Sequence, residues 1–214
     1  MTESDKQTEG LVESHTQPSN IVGEIPGQGD LSGLDLSGQD LRGTDLRGKG
    51  LQETNFRNAD LTGADLRNTD GTSACFDGAN LTAALLDNAK LHGASFHGAI
   101  MRDSKFKQTD FTLADLREAD MSGSEFLYVG FNGANLTGAK LNRTTMVVPR
   151  MRTSVLRDVD LTDATLHRPV LRGADLRGAV TDRTSVINAD IHKASYDEHH
   201  ALLLEDSCSV RSPK

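Results

Sequence analysis

Residues 133–140 read Gly133-x4-Gly138-Ala139-Lys140, close to the glycine loop that cradles a phosphate. That chemistry needs Lys directly after the second Gly and Ser or Thr after the Lys. Neither is in place, and two glycines five apart recur throughout this chain. Asp197, His199 and His200 bring metal-ligating types together near the end. A metal site needs a closer-knit ligand set than sequence neighbours usually make, so they read as a solvated tail. Cys75 has no neighbour that would activate its thiol. Asn80-Leu81-Thr82 and Asn135-Leu136-Thr137 match glycosylation acceptors only as by-products of a repeat. There is no Gly-x-Ser-x-Gly elbow. The expectation is a protein without catalytic residues, cofactor or metal.

The whole composition narrows the class further. The chain has 214 residues, 31 acidic and 23 basic, for a formal net charge of −8. One domain is the default at that length. Aromatic residues make up only 4%, Trp is absent and there are 20 Gly, which is lean for a conventional globule. Apolar runs are too short for a membrane span. The first residues lack the basic end and apolar run of a secretory signal. Two cysteines, Cys75 and Cys208, make no disulfide framework, which fits a cytoplasmic location. An acidic chain is poorly suited to gripping nucleic-acid phosphates directly.

The elements that would position any site follow from a period of five. Every fifth residue from Leu31 to Tyr196 is a central position, and of 34 such positions 18 are Leu, seven Phe and four Met. The exceptions are Gly71, Thr181, Val186, Ile191 and Tyr196. Two residues earlier, 27 of 34 are Ala, Ser, Thr or Gly; one residue earlier, 16 are Asp or Asn; two residues later, 13 are Gly. Ala174-Asp175-Leu176-Arg177-Gly178 shows the full consensus. Five matches neither the helical period of 3.6 nor the strand period of 2. One large and one very small inward residue per five describe a chain that turns a corner at each repeat, four corners to a coil. The turn-forming Asp, Asn and Gly flank the corner.

These features resemble the pentapeptide-repeat family, over residues 29–198. The resemblance implies an all-β, right-handed quadrilateral β-helix, here of about 8.5 coils from 34 repeats. At the spacing of paired strands the rod would be roughly 40 Å long. Residues 20 apart should then stack: Phe56 on Phe76 and Phe96, Phe106 on Phe126, Phe111 on Phe131. Gly71 and Thr181 should leave the core underfilled. Gln39 and Lys49, in the small inward column, point to first coils that are irregular or covered by the N-terminal segment.

Three segments are expected: a disordered tail and first-coil cap over 1–28, the β-helix over 29–198, and a short helix and tail over 199–214. Residues 1–20 are rich in Ser, Thr, Glu and Gln, while Ile21, Val22 and Ile25 could cover the open first coil. Leu202, Leu203 and Leu204 either cap the last coil or join two copies, since dimers in the family meet through a C-terminal helix.

Function must then lie on the surface. The face carrying Leu36 and Phe56 sums to −4, with Asp35, Asp77, Asp115, Glu118, Asp158, Asp175, Asp197 and Glu198 interrupted by Arg57, Arg117, Arg157 and Arg177. One family branch, the gyrase-protecting quinolone-resistance proteins, resembles duplex DNA and would make gyrase or topoisomerase IV the partner. No insertion here supplies the outward loop of its Gram-negative members. A sharper feature is apolar: Leu127 and Tyr128 should face outward, with Val147 and Val148 stacked on them and Arg150 and Arg152 just beyond. The competing reading there is a coil distorted near Pro149. The sequence thus favours a non-catalytic protein-binding module or scaffold, over a DNA-mimicking topoisomerase protector and a secreted effector with an N-terminal export tail.

Overall fold

A computed structural model describes residues 30–200 and 203–204. The 1–28 segment, including Ile21, Val22 and Ile25, and Leu202 lie outside the described residues.

Each corner is built the same way. The central side chain and the small residue two before it point inward, and nearly all of both columns are buried from Phe56 to Leu176. Asp or Asn before the centre turns its carboxylate or amide oxygen to the backbone N–H two residues on, as Asp60 does for Thr62 at 3.0 Å and Asn80 for Thr82 at 3.1 Å. The residue two after the centre has positive φ in every repeat from Gly33 to Lys193, which is why Gly recurs there. At most corners the N–H three residues past the centre closes the turn, as in Ala79 to the Phe76 carbonyl at 3.0 Å.

Coils pair in parallel at a constant offset of twenty residues, from Asp35 with Asn55 to Asp175 with Ser195. The result is a four-cornered parallel β-solenoid. On one face five wider corners become strands: β1 (Lys105–Lys107), β2 (Glu125–Leu127), β3 (Thr145–Val147), β4 (Thr165–His167) and β5 (Ser185–Ile187). They form one parallel sheet in that order. None of them has Asp or Asn before its centre to tighten the turn. Pro149 and Pro169, just past β3 and β4, have no N–H to close it.

The core is a column of stacked side chains. Phe56, Phe76 and Phe96 stack with centroids 4.8 and 4.7 Å apart, Phe106 on Phe126 at 4.8 Å, and Phe111 on Phe131 at 5.4 Å. The three stacks also meet edge-on, Phe96 against Phe111 at 5.4 Å and Phe106 against Phe111 at 5.6 Å, so the rings make one cluster. Hydroxyls of the small column donate to buried carbonyls, as Thr54 to Leu31 and Ser104 to Leu81.

The expected slack at Gly71 is corrected, and of the two expectations for the first coils irregularity is not seen, while cover by the N-terminal segment lies outside the described residues. Gly71 leaves no slack, because a Cβ there would meet Leu91 Cδ2 at 3.0 Å. The first described coils keep the regular corner and ladder, Leu31 N–H donating to Gly50 and Leu36 N–H to Asn55, with Gln39 buried and Lys49 half-buried. At the other end Thr181, Val186, Ile191 and Tyr196 are only half-buried, so the core does loosen there. The expected C-terminal helix is, among the described residues, the 3-10 turn Glu198–His200, with Leu203 and Leu204 beyond it.

Candidate functional site

The phosphate-loop lookalike is disposed of by its backbone. Gly133 and Gly138 sit on successive corners, and their N–H groups already donate to Arg152 and Arg157 of the next coil at 2.8 and 2.9 Å. Asn80 and Asn135 spend their side-chain oxygens on Thr82 and Thr137. Cys75 is half-buried, and that burial pushes its thiol up, away from the reactive thiolate.

Asp77, Asp115 and Asp175 of the acidic face are drawn into ion pairs. Arg117 grips Asp115 through two nitrogens at 2.8 and 2.6 Å. Asp175 is held by Arg177 at 2.7 Å and by Arg157 at 2.6 Å. Arg57 reaches Asp77 at 3.3 Å. Asp35 accepts hydrogen bonds from Ser37 N–H and the Asn55 amide. Glu118 and Asp158 are exposed at positive-φ corners. The hydrogen bond from Arg177 is the main reason the Asp175 carboxyl is held far below its ordinary range. The arginines that interrupt this face in sequence therefore break up its negative charge at Asp77, Asp115 and Asp175, while Asp35, Glu118 and Asp158 keep it net negative.

The apolar residues do come together. Leu127 on β2 is in register with Val147 on β3, and Tyr128 N–H donates to the Val147 carbonyl at 2.8 Å. Tyr128 is 48% exposed, and Leu127, Val147 and Val148 are half-buried on the outside, while Pro149 is the residue that turns in. Distortion near Pro149 thus widens the corner without drawing the patch into the core. The stripe runs further than the four residues named from sequence. His167 follows Val147 in register and Ile187, 39% exposed, follows His167. Counting on by twenty would have found Ile187. Shallow hollows flank the stripe, one of about 220 Å³ lined by Asp87, Lys105, Lys107, Glu125 and Leu127, another reaching from Tyr128 to Arg150.

Tyr128 and Val148 hold φ of 59° and 52°. Val148 and Thr153 are the β-branched residues among the positive-φ corners, a conformation such side chains adopt only under constraint.

At the C-terminal end, the expected solvated histidines are corrected. His199 is exposed, but His200 is 2% exposed, and neither of its ring nitrogens has a hydrogen-bond partner. Burial, then the neighbouring His199, push its imidazole below the ordinary range; Asp197 and the nearby Ala179 backbone oppose this. Leu204 is 3% exposed and belongs to the core of its own chain, and Leu203 is half-buried.

With this geometry in view, the comparisons with known proteins agree. The family model for pentapeptide repeats matches residues 51–88, 74–112, 104–143 and 152–180. The chain belongs to the pentapeptide-repeat family. Among solved structures it is similar to HetL, a pentapeptide-repeat protein involved in heterocyst differentiation regulation in the cyanobacterium Nostoc. Identity is 21%, over 76% of this chain and 84% of HetL, with a TM-score of 0.51. It also matches QnrB1, a plasmid-mediated fluoroquinolone resistance protein, at 18% identity over 84% and 98% of the two chains, with a TM-score of 0.32. A pentapeptide-repeat protein of the Arabidopsis thaliana thylakoid lumen matches at 29% identity over 63% and 69%, with a TM-score of 0.15. No curated protein matches the chain. The likeness to HetL carries the fold alone.

Proposed function

We propose that this protein is a non-catalytic binding module that docks a protein partner on the face formed by β1–β5. The observation that carries this reading is the outward stripe of Leu127, Tyr128, Val147, Val148 and Ile187 on a ladder of strands. A sheet face with apolar knobs and hollows beside them offers shape complementarity to a protein surface. Val148 supports it from another direction, because a strained side chain is kept where Gly would relieve the strain.

The alternative is a DNA-mimicking protector of gyrase or topoisomerase IV. It draws on the net charge of −8. A mimic works by a continuous negative surface, and the pairing of Asp77, Asp115 and Asp175 with arginines weakens that reading. A tip-to-tip homodimer would need a surface other than Leu204, which is buried against its own coil. The secreted-effector reading depends on residues 1–28, outside the described residues.

The test is affinity capture from lysate of the source organism with three baits: wild type, Leu127→Asp with Val147→Asp, and Leu113→Asp. Leu113 is 59% exposed at another corner and serves as the control. Docking on β1–β5 predicts a protein that wild type and the control retain and the double variant loses. Gyrase or topoisomerase subunits held equally by all three would sink it and favour the mimic.

A further inference from the structure

We propose that Asp197, His199 and His200 form a binding site for one divalent first-row transition ion, with zinc as the probe, at the C-terminal end of the rod. Their donor atoms all lie within 4.8 Å of one another. Donors around a tetrahedral zinc sit roughly 3.3 Å apart, so small side-chain rotations would close the set. Consecutive side chains normally diverge, yet the rings of His199 and His200 have centroids 3.8 Å apart. The 3-10 turn explains this: His200 N–H donates to the Asp197 carbonyl at 2.9 Å, folding the three residues over one point.

The independent observation is His200 itself. Its imidazole is buried, and although the Ala179 backbone lies beside it, neither nitrogen completes a hydrogen bond of good geometry, among the described residues the sole side chain in that condition. Buried polar atoms are almost always satisfied, and an orphan calls for a ligand. A metal ion would use one of those nitrogens. Asp197 is prepared for the same role: its Oδ2 accepts Gly178 N–H at 2.7 Å, which orients the carboxylate and leaves Oδ1 open. Such outer hydrogen bonds are what position metal ligands. Two imidazoles and a carboxylate suit zinc, cobalt or nickel rather than calcium or magnesium. Three protein ligands leave a fourth position for water. The bound ion would pin the turn to the last coil, where the core is loosest.

The test is calorimetric titration of the full, tag-free chain with zinc chloride, paired with thermal unfolding with and without zinc. Expected are one ion per chain with micromolar or tighter affinity, and a rise in the unfolding midpoint that a chelator reverses. Asp197→Asn and His199→Ala, both outside the core, should each weaken binding at least tenfold while leaving the circular dichroism spectrum unchanged. Absence of saturable binding to the full chain would overturn the site. So would unchanged affinity in both variants, which would place the zinc on the other histidines.

Discussion

At single residues the repeat concentrates cost in two places, the left-handed corner and the central core position. Val148 holds φ 52° with a branched side chain, a conformation worth about 1 kcal/mol against an L-residue. Val148→Gly should therefore raise stability by up to about that amount in urea unfolding, while reducing capture of the partner. Loss of stability would show that its packing outweighs its strain. Phe76 lies between Phe56 and Phe96 with no exposure. Phe76→Ala should cost about 3–5 kcal/mol in the same assay, because the rings above and below cannot collapse into the gap. The central and small columns and the Phe stacks were legible in the sequence, since the offset of twenty fixes them, whereas the edge-on contacts between stacks and the filling at Gly71 were not. His200 was not. Its burial depends on how three residues fold back over the last coil, and no periodicity describes a chain end.

Among the elements, the corners differ in what closes them, and this was only half legible. Asp and Asn before the centre announce the tight corner, but their absence does not by itself make a strand: Val155 and Val180 lie at tight corners. The missing information is whether neighbouring coils widen together, a cooperative property of the β1–β5 stack. The arginine pairing was hidden for a similar reason. Arg117 turns back to Asp115 two residues earlier, whereas Arg157 reaches Asp175 eighteen residues on, and the choice is made by rotamer. These pairs set a pH dependence. The Asp175 carboxyl is depressed in the folded protein, so its contribution is complete above the unfolded value near 4 and fades as pH falls below it. Asp175→Asn should flatten the acid side of the stability profile between about pH 4 and 2 and leave the neutral side nearly parallel. An unchanged acid limb in thermal unfolding would mean that solvent already screens the pair.

Across the molecule, stability is a sum of coils and of contacts between neighbouring coils. Among the described coils, hydrogen exchange should be slowest between Phe56 and Phe131, where the rings interlock, and fastest from Thr181 to Tyr196, where central residues are half-buried. Zinc bound at the end site should slow exchange in that last region alone. The constant offset of twenty residues between paired positions has a separate consequence for length change. Five residues are the unit that folding counts, but twenty are the unit that the surface counts. Excising residues 131–135 would join Gly130 to Leu136 with every later side chain still correctly in or out. Everything beyond the cut would nevertheless be dialled round by a quarter-turn, parting Val147 and Val148 from Leu127 and Tyr128. Excising twenty would shorten the rod and restore the alignment of faces. Evolution and engineers can thus vary this protein along two independent clocks, one that keeps it folded and one that keeps it recognised.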